Sequence, residues 1–425
     1  MEVFKFGGAS LNSADAVKNV ALIIKQYGVQ ALLVIVSAMG KITNELEILT
    51  EAFMAEDDAR KKQLLNDIKS YHYSIMDNLF KKNDLVFLQV EQTFHHLELY
   101  INQKAGNNYN FEYDRIVSTG EIVSSQILSH YLNKVGINNT WFDARKLIIT
   151  NTSYRDAQPD WNQTTQSIKK NVLSFFNNNK NESGKIIVSQ GFIGGTSQGY
   201  TTTLGREGSD FSAAIFGFAL DAKEVTIWKD VPGLLNADPK IFKDTVLLPQ
   251  ITYQEAIELS YFGAKVIHPK TLKPLLSKNI PLKIKSFINP ENPGTIIHDI
   301  EGSTEYPPSY IFKFNQVLLS IMPKDFSFIA EHNLSLIFSS FARIGVKINL
   351  MQNSAISFSV CFDKDKTKTP GLMADLEKNF NLKYNENLEL ITIRHYENAP
   401  IHNIIKNRDI LLEQKNRMTL QLVVS

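Results

Sequence analysis

Lys5 lies in a short run, Glu2-Val-Phe-Lys-Phe6, that leads straight into Gly7-Gly8 and Ser10. A lysine at the end of a strand followed by two glycines lets backbone N–H groups approach an anion while the ammonium caps it. The Walker spacing Gly-x-x-x-x-Gly-Lys-Ser/Thr is absent, and an ordinary tight turn beside a surface lysine would read the same way. A second candidate is Gly205-Arg206-Glu207-Gly208-Ser209-Asp210. Its guanidinium suits bidentate binding of a carboxylate, whereas Ser209 and Asp210 are also good helix N-caps. Ser118-Thr119-Gly120-Glu121 reads as a strand-to-helix junction, where Glu121 either answers the helix dipole or holds an ammonium group. Trp228-Lys229-Asp230 and Asp238-Pro239-Lys240 put lysines and acids at the C-terminal edge of a strand, where open α/β sheets bind ligands. In Gly263-Ala-Lys265-Val-Ile-His268-Pro269, Lys265 is a possible phosphate contact and His268 reads as structural rather than as a base. What these segments share is a chemistry of anion recognition by Lys, Arg and Gly.

The elements that must position them follow an α/β rhythm. Residues 2–6 form a strand, and Val17, Val20, Ala21 and Ile24 give one face of a helix that stops at Gly28. Residues 31–37 are a near-continuous apolar strand, so the chain opens with a βαβ unit around a mainly parallel sheet. Residues 44–104 read as two or three helices, with His72, His95 and His96 as surface or core residues rather than metal ligands. The rhythm returns at 114–121 with a helix to about 134, further strands are expected at 139–145, 185–194, 224–231 and 280–287, a turn opens into a helix over 201–220, and helices are expected at 253–262 and 270–278. Pro- and Gly-punctuated stretches at 289–294 and 303–309 place a boundary between residues 1–297 and 310–425. Within the second part, residues 317–396 spell βαββαβ, the plan of small ligand-binding regulatory modules. One further strand, 419–425, follows a polar stretch.

Composition narrows the function classes. The chain has 425 residues, and 45 Lys+Arg against 44 Asp+Glu, a balance that offers no electrostatic reason to expect nucleic acid or an anionic membrane. Cys361 is the single cysteine, which excludes an internal disulfide and any multi-cysteine metal site. The longest clean apolar run, Ala31–Val36, is far short of the ~20 residues that span a bilayer. With no secretory signal read at the start, a cytoplasmic enzyme is expected.

Taken in order, Lys-Phe-Gly-Gly-Ala-Ser (5–10), Val-Ser-Ala-Met-Gly-Lys-Ile-Thr-Asn (36–44), Ser-Thr-Gly-Glu (118–121) and Gln-Gly-Phe-Ile-Gly (190–194) lead to three more blocks. These are Thr-Thr-Leu-Gly-Arg-Glu-Gly-Ser-Asp (202–210), Trp-Lys-Asp-Val-Pro-Gly (228–233) and Gly-Ala-Lys-Val-Ile-His-Pro (263–269). The seven blocks resemble the aspartate kinases of the amino-acid kinase superfamily, and the C-terminal part resembles the ACT regulatory region that follows in that family. The resemblance implies an amino-acid kinase fold over residues 1–297 and an ACT-like α+β region over 310–425. It implies transfer of the ATP γ-phosphoryl group to the side-chain carboxylate of L-aspartate, the first step toward lysine, threonine and methionine. It assigns Lys5 and Asp210 to catalysis, and Thr43, Glu121, Arg206 and Ser209 to aspartate. Gly7, Gly8, Ser10, Lys229, Asp230, Leu235, Lys240 and Lys265 fall to the nucleotide. Mg²⁺ is expected on the phosphates, mostly water-ligated, with no protein metal site.

Four positions depart from the family pattern: Ala9 for Thr, Glu207 for Gly, Leu235 for an aromatic residue and Lys240 for Arg. Glu207 would put a negative charge beside the arginine clamp. The tail departs further. Residues 317–396 supply one ACT module, and the remaining 29 residues are expected to add a single strand that completes its sheet or pairs across a homodimer. A lysine or threonine effector is the regulator that the resemblance implies. Two other readings stay open: another amino-acid kinase, such as a glutamate or carbamate kinase, and a non-catalytic amino-acid-sensing homologue.

Overall fold

The computed structural model describes residues 1–29, 31–178, 185–264, 267–300, 302, 305–325 and 327–425. The chain divides into two compact units: Met1–Leu234, Leu247–Ile257 and Val266–Glu301 form the first, and Leu235–Val246, Glu258–Lys265 and Gly302–Ser425 the second. Residues 1–297 are therefore not one uninterrupted unit, because two stretches within them group with the C-terminal part.

The first unit contains strands β1 (Glu2–Phe6), β2 (Ala31–Val36), β3 (Asn139–Phe142), β4 (Ile149–Thr150), β5 (Lys185–Gln190) and β6 (Ile193–Thr196). They are followed by β7 (Thr201–Thr203), β8 (Glu224–Lys229), β9 (Gln250–Thr252), β10 (Leu282–Ser286) and β11 (Thr295–His298). Eight of them form one sheet in the order β3-β5-β2-β1-β8-β10-β11-β9, in which only the β10/β11 pairing is antiparallel. A smaller sheet, β4-β6-β7, stands beside it. Helices α1 (Ala14–Tyr27), α2 (Ile42–Met54), α3 (Asp58–Leu79), α4 (Leu85–Ile101) and α5 (Tyr109–Lys134) come before β3. Next are α6 (Trp161–Ile168), α7 (Ser174–Asn178), α8 (Gly208–Ala219), α9 (Tyr253–Phe262) and α10 (Pro269–Leu276).

The alternation in β1 decides where the chemistry goes. Phe4 and Phe6 join the large apolar core with Trp228, Val34 and Val36, and period two then sends Lys5 to the opposite face. Ser13 caps α1 by accepting the Ala16 N–H at 3.2 Å, and Val17, Val20, Ala21 and Ile24 are buried as their spacing predicts.

The largest correction concerns residues 114–121. They are not a strand leading to a helix junction but the middle of α5, which runs unbroken for 26 residues. Nearly every residue from Glu112 to Ser129 is buried, so this helix shows no amphipathic period, and Ile116-Val117 reads locally as strand. Glu121 lies well inside α5, so the helix-dipole reading of that carboxylate falls.

The second unit is built on one antiparallel sheet. Strand β12 (Ser309–Pro323), helix α11 (Glu331–Ile344), strands β13 (Ile348–Asn353) and β14 (Phe358–Asp363), helix α12 (Lys368–Leu376) and β15 (Phe380–Arg394) give the expected βαββαβ order. A short helix α13 (Ile401–Ile404) and strands β16 (Ile410–Lys415) and β17 (Thr419–Val424) close the chain. The sheet order is β13-β14-β12-β15-β17-β16. The single closing strand expected from sequence is thus corrected to two. Both β12 and β15 span 15 residues and serve two half-sheets: Val317–Pro323 and Phe380–Tyr384 belong to the first, Ser309–Lys313 and Leu390–Arg394 to the second. Read as β16-β17-β15-β12, the second half repeats the strand order of the first, β13-β14-β12-β15, with its outer strand borrowed from the start of β12. Tail length alone misses this, because the borrowed strand lies upstream of the first module.

Candidate active site

The site grows from the C-terminal end of β1. Lys5 is buried, and its ammonium reaches across to the first turn of α8, where Nζ lies 2.6 Å from Asp210 Oδ1. Lys229, the last residue of the neighbouring β8, approaches Oδ2 of the same carboxylate at 3.3 Å. Burial would push the Asp210 carboxyl up, but the two ammonium groups outweigh it and hold it below the usual carboxylate range.

The turn after β1 fits the same purpose. A Cβ on Gly8 would lie 2.7 Å from Gly40 O and 2.8 Å from Ala38 O, so only glycine lets the 7–10 turn sit against the 37–40 loop. Ser10 is buried there, and its Oγ has no hydrogen-bond partner among the described residues. Gly7 borders Lys5, with its Cβ direction 3.5 Å from Nζ.

Glu121 enters from α5. Its Oε1 accepts the Ala38 N–H at 3.3 Å, while Oε2 is buried with no hydrogen-bond partner among the described residues. Burial lifts this carboxyl to about 8, against the smaller pull of the Ala38 N–H and Lys5. A half-satisfied buried carboxylate has a strong demand for a positively charged partner.

Arg206 projects from a turn whose geometry explains its composition. Gly205 (φ +77°) and Glu207 (φ +54°) both lie in the left-handed region, a conformation that favours glycine and costs other residues. The Glu207 carboxylate does not crowd Arg206 from an idle position: it accepts the His268 N–H at 2.9 Å. The N-cap position of α8 is Glu207 itself, so Ser209 and Asp210 lie within the first turn and are not the caps that their residue types suggest.

Lys5, Gly8, Thr43, Glu121, Arg206, Ser209, Asp210 and Lys229 together line one cavity of about 590 Å³. The sequence reading missed Arg155, Tyr113 and Phe192, which line it as well. Arg155 has φ +67° and is locked in place by the buried Asp114, whose two carboxylate oxygens each take its N–H at 3.1 Å. Asp114 also accepts Thr203 N at 2.8 Å and Oγ1 at 2.7 Å. Arg155 Nη2 then pairs with Glu47 at 2.9 Å, and its guanidinium lies 4.3 Å from the Tyr113 ring centre. A positive φ and a partner 41 residues away leave no local trace in the sequence.

The remaining expected residues are not gathered in this cavity. Asp230 is exposed just beyond β8. Leu235 and Lys240 belong to the stretch that groups with the second unit, and Lys265 lies outside the described residues. His268 caps α10, its Nδ1 accepting the Lys270 N–H at 3.1 Å, in line with a structural role. His72 is fully buried and bonded to Ile68 O, and burial drops it to about 4. Among the described residues no group of three or more His, Cys, Asp or Glu side chains is placed to hold a metal ion. No helix among them is long and apolar enough to cross a membrane.

The model of the amino acid kinase family matches residues 1–286. The chain is 32% identical over 393 residues to the chloroplastic bifunctional aspartokinase/homoserine dehydrogenase 2 of Arabidopsis thaliana, covering 89% of this chain and 42% of that protein. It is 30% identical to the lysine-sensitive aspartokinase 3 of Escherichia coli, covering 92% of this chain and 86% of that one. The first curated relatives it matches are thus longer proteins, of which it spans 42% or less. Among solved structures, E. coli aspartokinase III in complex with aspartate and ADP superposes with a TM-score of 0.82 at 28% identity, covering 100% of this chain and 96% of that chain.

Proposed function

We infer the activity of this chain from the family it belongs to, the amino acid kinases, within which it stands among the aspartokinases. It transfers the γ-phosphoryl group of MgATP to the side-chain carboxylate of L-aspartate, giving 4-phospho-L-aspartate. The observation that carries this reading is the meeting, in one cavity, of a lysine–aspartate–lysine cluster with an arginine and a half-satisfied buried glutamate. An α-amino dicarboxylate offers one ammonium and two carboxylates to that set.

The chemistry requires no general base. An aspartate side chain with a pKa near 3.9 is already ionised at neutral pH. The obstacle is bringing an anion up to a polyanion, and catalysis rests on positioning and positive charge. Lys5 meets the transferring phosphoryl group, helped by the N–H groups of the Gly7-Gly8 turn and the Ser10 hydroxyl. Asp210, held ionised by two ammonium groups, orients Lys5 and has little tendency to take a proton. Arg206 clamps a substrate carboxylate with Thr43 and Ser209 beside it. Glu121 takes the α-ammonium, which displaces the proton that burial otherwise keeps on it.

Lys229 and Asp230 serve the nucleotide, together with Leu235, Lys240 and Lys265 carried over from the resemblance. Magnesium enters as part of the nucleotide substrate, held by phosphate oxygens and water, since Asp210 is already engaged by both lysines. By analogy with its lysine-sensitive relative, the second unit senses lysine or threonine and pairs two copies through its sheet edges, and the protein works in the cytoplasm. The reaction feeds synthesis of lysine, threonine and methionine.

The test is ADP release from purified protein with MgATP, with and without L-aspartate and across a panel of other acids. Turnover that depends on aspartate supports the reading. Turnover driven by another acid and indifferent to aspartate overturns the substrate while leaving the family.

A further inference from the structure

Helix α5 carries a second face of chemistry. Glu121 and Asp114 serve the active-site side, whereas Arg115, Ser118, Thr119, Ile122 and Gln126 floor a separate cavity of about 700 Å³ between α4, α5 and the β6–β7 hairpin. This cavity shares no lining residue with the catalytic one. Ser118, Thr119 and Gln126 are buried polar residues on this face; Ser118 Oγ donates to Arg115 O at 3.0 Å and Gln126 Oε1 accepts the Thr93 hydroxyl at 3.1 Å.

The charges are one-sided. Two arginines line the cavity and no carboxylate does. Arg145 is neutralised by Asp143, whose Oδ2 lies 2.7 Å from Nη2. Arg115 makes no ion pair among the described residues, and its guanidinium lies over the Tyr100 ring, 3.8 Å from the ring centre, while the Tyr100 hydroxyl donates to Glu112. Trp141 and Tyr200 line it too, with Tyr200 packed edge-on against Phe111. A guanidinium without an ion-pair partner among the described residues, aromatic side chains and side-chain amides make a complementary receptor for a small monoanion with a planar body.

We propose that the α4–α5 groove is a binding site for a small planar organic carboxylate, and that its occupant tunes aspartate affinity through α5. The oxyanion meets Arg115, the planar body lies against the aromatic side chains, and Gln126 meets polar substituents. Ser118, Thr119 and Ile122 lie within three positions of Glu121 on the same helix, so a ligand pressing on them shifts the carboxylate that faces the substrate. The second half of this inference rests on the ammonium-binding role given to Glu121; the first half does not.

The test uses the full chain with benzoate as a planar carboxylate, benzamide as its neutral counterpart and inorganic phosphate as a compact oxyanion. Saturation-transfer NMR and thermal melts read binding, and ADP release reads the aspartate KM. Benzoate should bind saturably in about the millimolar range, with benzamide and phosphate at least about tenfold weaker. Arg115→Gln should weaken benzoate at least about tenfold while leaving basal turnover unchanged, and the benzoate-induced change in aspartate KM should vanish with it. No saturable binding up to about 10 mM, or equal binding to Arg115→Gln, overturns the site. Benzoate binding that leaves KM unmoved overturns the coupling through α5. Lack of aspartate-dependent turnover in the absence of benzoate would count against the proposed activity, and not against the groove.

Discussion

Lys5 is the residue on which most depends, because it brings its ammonium to the Gly-Gly turn from a buried strand. Lys5→Ala should lower kcat by about 10²–10³-fold with the fold intact, read by steady-state ADP release and far-UV circular dichroism. Near-normal turnover would remove the phosphoryl assignment. Glu121 makes a pH-dependent prediction. Its folded value of about 8 stands above an unfolded value near 4.3, so the stability it contributes as a neutral acid is lost as pH rises between them. Glu121→Gln should therefore melt progressively higher than wild type as pH goes from about 5 to about 8. Because aspartate must displace the same proton, wild-type KM for aspartate should fall over that range, while Glu121→Gln should show a raised, flat KM and an unchanged KM for ATP. A parallel pH slope in both proteins would sink the idea. Glu207 separates strain from contact. Glu207→Ala keeps the left-handed φ and loses the bond to His268, for a cost of about 1 kcal/mol, whereas Glu207→Gly relieves the strain and should stay close to wild type. Equal shifts of the urea midpoint in both variants would contradict that account. At this scale much was legible in sequence: glycines at 7–8 and the Lys5, Asp210 and Arg206 blocks stand in one cavity or border it. Arg155 was not, because its position is fixed by Asp114, remote in sequence and burying its own signal.

Among the elements, α5 does the most positioning and was the one read wrongly. Periodicity finds helices that have a wet face, as it found α1; a helix enclosed on nearly all sides offers none, and its β-branched residues then suggest a strand. Gly120 shows how closely α5 is set. A Cβ there would come within 2.9 Å of Ala38 Cβ, 3.1 Å of Leu46 Cδ1 and 3.3 Å of Ile42 Cγ2. Alanine is intrinsically the better helix former by about 1 kcal/mol, yet Gly120→Ala should destabilise by about 1–3 kcal/mol, because overpacking outweighs propensity. The same substitution pushes on the 38–43 segment, so the aspartate KM should rise along with the loss of stability. Denaturant melts with kinetics on the same sample would show it, and a stabilised variant with unchanged KM would contradict the packing argument. The borrowed strand in the second unit was illegible for a different reason. Strand β12 reads as an ordinary 317–322 strand because Asn315, at φ +55°, marks a bulge where the strand passes from one half-sheet to the other.

Across the whole molecule, the two halves of the chain are legible in sequence but their true partition is not. Pro and Gly punctuation near residue 300 marks one passage between units; Pro232-Gly233, Pro249 and Gly263 stand beside the passages at 234/235, 246/247 and 265/266 as well, but there they read as ordinary turns within the α/β rhythm. Within the second unit, Ala237 and Phe242 pack with Tyr310, Ile391, Ile393, Leu420 and Leu422, and Phe242 stacks on Tyr310 at 4.7 Å between ring centres. The stretch bearing Leu235 and Lys240 is thus part of the second unit's own interior. A gene cut at residue 302 therefore does not release a self-sufficient module: the fragment leaves behind Ala237 and Phe242, which belong to its own core. Expressed alone, residues 302–425 should aggregate or bind an apolar dye such as ANS, and supplying residues 235–246 through a short linker should restore a cooperative melt. For anyone exchanging regulatory parts between such enzymes, the transferable unit is a discontinuous one, and a crossover at a single boundary will graft a foreign surface onto an unfinished interior.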